Sequence, residues 1–176
     1  LYRLDSNYYL CHLAWFSYRF QYLQRLILIL FMNFEAFLSN NSNLGVDFKG
    51  RTLQDIWNYS DNEIENQHDF IQMIFPLDQP SNAVFHGIYL DDREVIDNLR
   101  KNPSVQSNMI KSANWFLSFL NRTNHWKVPN DHNHLRITRI IQSLRLLVSD
   151  NEADAFYVSV MAMLADNNQI NATSLQ

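Results

Sequence analysis

The chain has 176 residues, 47% of them hydrophobic and 18% charged, with a formal net charge of −4. That is a globular composition with enough chain for one core, and its acidic balance argues against nucleic-acid binding, which needs clustered basic residues, while leaving room for a local basic stripe. Three glycines and four prolines are too few for the tight turns of a sheet protein, and the single cysteine, Cys11, excludes an intrachain disulfide and a Cys-rich zinc site.

Residues 1–31, LYRLDSNYYLCHLAWFSYRFQYLQRLILILF, hold nine of the 24 aromatic residues and one of the 18 acids. A membrane-spanning helix needs about 20 apolar residues. Here Arg19, Gln21, Gln24 and Arg25 leave an unbroken run of seven, Leu26 to Met32. The adjoining MNFEAFLSNN offers no convincing small-residue cleavage site for a signal peptide. The expectation is therefore that Met32 is the start, with 1–31 a doubtful extension and 32–176 a single domain. From Met32 onward eleven basic residues face seventeen acidic ones, a net of −6. Residues 10–31, where translated, are the stretch through which a membrane-peripheral association would run.

Helix starts are legible downstream of Met32. Thr52 with Asp55 marks a short helix around TLQDIW, and Ser60 with Glu63 is an S-x-x-E capping box, in which each side chain satisfies an orphan backbone donor of the first turn. From Ser60 one helix is expected to run to the proline stop at Pro76, with Ile64, His68, Ile71 and Phe75 on one face. Asp91 with Glu94 is a looser start, leading to Val95 and Leu99. Asn102 before Pro103 puts a capping residue ahead of proline at the first helical position. The long stripe Val105, Met109, Ala113, Phe116, Leu117 and Leu120 comes next. Ile137, Ile141, Leu144 and Val148 form another, and Ser149 with Glu152 opens a last helix carrying Ala153, Phe156, Tyr157, Val160 and Leu164. The fold class expected is all-α, a single-domain bundle of about five to seven helices. Two long loops are expected, Pro76 to Leu90 and Asn121 to Asn133, of a length that is often functional.

Familiar catalytic patterns are missing: no G-x-S-x-G, no glycine-rich phosphate loop and no H-E-x-x-H occurs. His68 and Asp69 read as a base and its orienting carboxylate, but adjacent helical residues point about 100° apart and bond each other poorly. Packing is the better reading, with Gln72 as a polar neighbour. His125, His132 and His134 crowd the second loop around Asp131, a pattern expected to be a solvated loop rather than a metal site. Neither a metal nor a cofactor is expected. In NHLRITRIIQSLRLL, Arg136 and Arg139 project from one side of a helix with Ser143 in line beyond them. Two guanidiniums there can clamp a carboxylate or phosphate; the bland alternative pairs them with the chain's own acids, such as Asp69 or Asp131.

The segment FKGRTLQDIWNYSDNEIENQHDFIQMIFPL, with NHLRITRIIQSLRLL and EADAFYVSVMAML downstream, resembles the opioid growth factor receptor conserved region, from about Asn33 to Leu164. The resemblance rests on the His68–Leu77 run HDFIQMIFPL, and departs where Met73 stands in place of the family's usual Trp. It implies a helical, receptor-like domain for a small peptide, sometimes described as membrane-associated, without an established activity for the short members.

The functional expectation is a non-enzymatic module binding a peptide or protein segment that carries an anionic group. Its site would be a cleft between the HDFIQ helix and the Arg136/Arg139 helix. Arg136 and Arg139 would take the anion, His68, Asp69 and Gln72 would make polar contacts, and Trp57 would form an apolar wall. The alternatives are a small hydrolase using His68 with a carboxylate, and a membrane-peripheral protein anchored by residues 10–31. A cytoplasmic location is expected, with membrane association by family analogy only.

Overall fold

The computed structural model describes residues 32–40, 45–81 and 88–165. Expectations placed on residues 1–31 and on positions 82–87 of the first long loop lie outside the described residues. The chain divides into two units, residues 1–32 and 33–176, and the described helices belong to the second.

Among the described residues that unit is all-α, with eight helices in the order α1 (Phe34–Leu38), α2 (Leu53–Trp57), α3 (Asp61–Asn66), α4 (Phe70–Ile74), α5 (Arg93–Lys101), α6 (Pro103–Arg122), α7 (His132–Leu147) and α8 (Asp150–Leu164). Caps set their starts. At Thr52 and Ser60 both halves of the capping box form; Glu63 Oε2 accepts from the Ser60 amide at 2.8 Å while Ser60 Oγ accepts from the Glu63 amide. Asn102 Oδ1 takes the amides of Ser104 and Val105 ahead of the proline-led α6. Ser149 caps α8 through the Glu152 amide.

Two sequence expectations shift by a residue. Asp92, not Asp91, caps α5, its Oδ1 accepting from the Glu94 amide at 2.8 Å. Ile96 and Leu99 then face inward, and Val95 stays 38% exposed. At the end of α7, Val148 is the C-cap, and Leu147 fills the core place expected of it.

The core forms where α6, α7 and α8 pack on one another, with α5 against α6 and α7 and α1 against α6. Val105, Met109, Phe116, Phe119 and Leu120 of α6 meet Ile137, Ile140, Leu144 and Leu147 of α7 and Ala153, Phe156 and Val160 of α8, all buried. Each large apolar side chain so removed from water contributes about 1.5–3 kcal/mol before entropy is counted.

The helix expected from Ser60 to Pro76 is broken in two. α3 ends at Asn66, Gln67 turns to extended backbone (φ −93°, ψ 128°), and α4 begins only at Phe70. No glycine or proline marks the break, whose cause is tertiary. Upstream, Asp47 organises a tight turn: its Oδ1 accepts from the Lys49 and Arg51 amides, and Gly50 supplies the left-handed φ of +76° that the turn requires. The turn delivers Lys49 and Arg51 to Asp69, within the break.

The second long loop is shorter than expected and well tied, because α6 continues to Arg122 and α7 starts at His132. Trp126 is fully buried within it; its Nε1 donates to the carbonyls of Leu120 and Thr123 at 2.8 and 2.9 Å.

Candidate functional site

α7 presents Arg136, Arg139 and Ser143 at helical spacing along one side, and that line meets the chain from Glu65 to Pro76. Arg136 Nη2 donates to the carbonyls of Gln67 (2.8 Å) and Glu65 (3.3 Å) and approaches His68 Nδ1 at 3.1 Å, while Nη1 donates to Asn133 Oδ1. Arg139 Nη1 donates to the Phe75 carbonyl at 3.1 Å, and Ser143 Oγ to the Pro76 carbonyl at 2.8 Å. Carbonyls at the ends of α3 and α4 have no intrahelical partner; three side chains of one helix satisfy them in register.

The expected alternative, pairing of these arginines with Asp69 or Asp131, is therefore corrected. Asp131 caps α7, accepting from the Asn133 amide at 2.8 Å. Asp69 is 6% exposed and bound to Lys49 and to Arg51 Nη1. Burial alone would raise the Asp69 pKa, but Lys49 and Arg51 outweigh it and hold the carboxyl below its ordinary range. Burial of Arg51 opposes its charge, yet Asp47 and Asp69 together keep its pKa above the ordinary value.

His68 does not lie on an apolar helical face. It sits exposed in the break, its Nδ1 toward Arg136 and its ring edge-on to His132 with centroids 5.3 Å apart. Partial burial, then Arg136 and His132, lower its pKa. Nor are the loop histidines simply solvated: His134 is buried with Nε2 2.9 Å from the Trp126 carbonyl, and His125 Nε2 and His132 Nε2 lie 2.9 and 3.2 Å from the two carboxylate oxygens of Glu65. Burial would raise the Glu65 pKa, but His125, Asn133 and His132 together lower it. Among the described residues no cluster of His, Cys, Asp and Glu is arranged to hold a metal ion.

Between α4 and α7 lies an open groove of about 520 Å³. Four of the six candidate residues line it: His68, Gln72, Arg136 and Arg139. Asp69 and Trp57 do not. Trp57 is buried, its Nε1 donating to Ser112 Oγ at 2.9 Å, with the Lys111 ammonium 3.5 Å from its ring centre. Sequence reading missed His132, Leu135 and Gln142 as wall residues. The i, i+3, i+7, i+10 spacing from His132 through Leu135 and Arg139 to Gln142 is the signal that could have found them.

The groove contains no acidic side chain among its described residues. Arg136 is 4% exposed and donates through both Nη1 and Nη2 to oxygens of the fold, whereas Arg139 is partly exposed and donates through Nη1 alone to the described residues. Burial lowers the pKa of both from the usual arginine value without neutralising either. Gln72 is 2% exposed; its Nε2 donates to Ser81 Oγ at 3.1 Å, while its Oε1 has no hydrogen-bond partner among the described residues. Met73, where the resemblance has Trp, is wholly buried in the core and offers no stacking platform.

Among the described residues no helix is long and apolar enough to cross a membrane. What fold and groove define is a small all-helical domain with a cation-walled cleft. The family model of the opioid growth factor receptor (OGFr) conserved region matches residues 31–169, and the chain belongs to that family. No curated protein and no solved structure matches it significantly.

Proposed function

We propose that the groove between α4 and α7 binds a peptide or protein segment through an anionic group, and that the domain is a binding module rather than an enzyme. The observation that carries this reading is the charge of the walls: Arg136 and Arg139 line the groove with no carboxylate among its described lining residues, in a chain whose net charge is −4. A cation left without a carboxylate in a cleft is a ready partner for one. Arg139 supplies N–H donors that the described residues leave unused, and Arg136 adds fixed positive potential. Ile71, Leu77 and Leu135, the last 75% exposed, supply apolar contact beside the charge.

The hydrolase alternative gains no specific observation. His68 Nδ1 faces a guanidinium instead of a carboxylate, and Asp69 is held by Lys49 and Arg51.

Fluorescein-labelled hexapeptide pools test the reading, one with Glu and one with Gln at fixed positions among apolar residues, using fluorescence anisotropy at low salt. Retention of the Glu pool alone, weakened by Arg139→Gln and by added salt, is expected. Equal binding of both pools, or no binding of either, overturns it.

A further inference from the structure

The groove has a neighbour. A second hollow, of about 410 Å³, shares Leu77, Gln79 and Gln142 with it as a common rim and carries Arg100 of α5 and Arg145 of α7 on its far side. We infer that the two hollows form one track for an extended acidic polypeptide segment, which places one carboxylate at Arg139 and a second at Arg100 and Arg145. This rests on the proposal that the groove binds an anionic peptide, and names that ligand class more closely.

Spacing supports the track. From His132 to Arg145 is thirteen residues of α7, a rise of about 20 Å, which an extended segment of about six residues spans. Arg139 and Arg145 are six residues apart, a rise of about 9 Å and a rotation of about 120°, which at the helix surface separates them by about 13 Å, the advance of about four residues in an extended chain. The two anchoring acids therefore belong four positions apart. Gln142 and Gln79 on the shared rim offer amides to the backbone between them.

Charge supports it as well. Across both hollows the described lining holds four arginines and a single carboxylate, Asp78. The Arg100 guanidinium makes no ion pair among the described residues, and Arg145 is paired with Asp154 at 2.9 Å across a contact in which both side chains are more than half exposed. Such exposed pairs are weak and exchange partners readily. A nucleic acid also carries regularly spaced anions, but apolar Ile71, Leu77, Leu135 and Leu146 interleave with the cations, and the net charge of the chain repels a polyanion. A peptide with apolar residues between its acids fits both features.

The test uses the full chain and four fluorescein-labelled hexapeptides of apolar residues and glutamine, capped at both ends. One carries a single Glu, one two Glu four positions apart, one two adjacent Glu, and one none. The peptide with acids four apart is expected to bind about fivefold more tightly than the single-Glu peptide, the scale of an exposed ion pair at low salt, and adjacent acids should give less. Arg100→Gln/Arg145→Gln should remove that increment while weakening the single-Glu peptide less than Arg139→Gln does, and both residues are exposed, so the fold should tolerate the change. Arg139→Gln should weaken both acidic peptides. If the single-Glu peptide binds but spacing makes no difference, the track is refuted and the groove reading stands. If none of the peptides binds, both fall. A single-stranded oligonucleotide that binds through Arg100 and Arg145 where the spaced peptide does not would also overturn the track.

Discussion

Arg136→Met tests whether one guanidinium holds the α3–α4 break together. The substitution keeps most of the stem volume beside Phe70, whose ring centre lies 5.6 Å from the guanidinium carbon, so little cavity is created. It strands Asn133 Oδ1, on a fully buried side chain, together with the part-buried carbonyls of Glu65 and Gln67. A stranded buried acceptor costs about 1–3 kcal/mol; the part-buried carbonyls fall at the low end, because water reaches them. Relief of a buried cation offsets some of the sum, leaving about 3 kcal/mol. With an m-value of about 2 kcal/mol/M, the urea midpoint falls by about 1.5 M at unchanged m. Arg139→Met strands one carbonyl, that of Phe75, and should cost about 1 kcal/mol. Arg136→Lys keeps the charge but loses the fork and should fall between the two. Amide exchange should quicken first in α4, which has too few residues to persist alone. Should Arg136→Met cost no more than Arg139→Met, or leave α4 protection intact, the carbonyl clamp is not what holds the break.

Asp69→Asn should destabilise by about 3 kcal/mol, since it leaves Lys49 and the part-buried Arg51 facing a neutral group. The folded pKa of Asp69 is depressed below 3.8, so its contribution is present above that value and lost as pH falls through the folded one; acid titrations of the two proteins should converge once pH is below that folded value. The depressed pKa of His68 acts with the same sign: its contribution is present above the ordinary histidine value of 6.5, where the ring is neutral, and is lost as pH falls through the folded value. An NMR titration should place His68 below an exposed histidine, and Arg136→Met should raise it. Ser60→Ala removes the cap of α3 and should cost about 1 kcal/mol in thermal or chemical unfolding.

The helix starts were readable because capping is local: Thr52, Ser60, Asn102 and Ser149 each act within three residues of themselves. The stripes of α6 and α8 were readable for the same reason, as one face of a 3.6-residue period. The break at Gln67 was not, because its causes lie far off in sequence. Lys49 and Arg51 come to Asp69 from a turn about 20 residues upstream, and Arg136 takes the Gln67 carbonyl from 69 residues downstream. Periodicity sees His68 as the continuation of a helix, since nothing local contradicts it. The pairing of α4 with the Arg136/Arg139 side of α7 was legible, as both carry polar groups at helical spacing. That Asp69 and Trp57 leave the groove was not, because their partners Lys49, Arg51 and Ser112 are ordinary residues until the fold brings them near.

The two arginines differ in what a ligand could take from them. The α4 wall of the groove is a five-residue helix, held by apolar burial of Phe70, Met73 and Ile74 and by bonds from α7 to the carbonyls around it. A ligand that took the Nη2 group of Arg136 would have to draw it from Glu65 and Gln67, at the cost of the wall itself. Arg139 holds the same wall through one bond to Phe75 and keeps other donors for a ligand. Binding at Arg139 therefore need not release α4. A ligand that binds the folded chain alone raises its stability by RT ln(1 + [L]/Kd), about 2.7 kcal/mol at a hundredfold excess over Kd. For an acidic peptide in this groove that gain should come with slower amide exchange in α4; faster exchange there on binding would mean that the anion had taken Arg136 and opened the clamp.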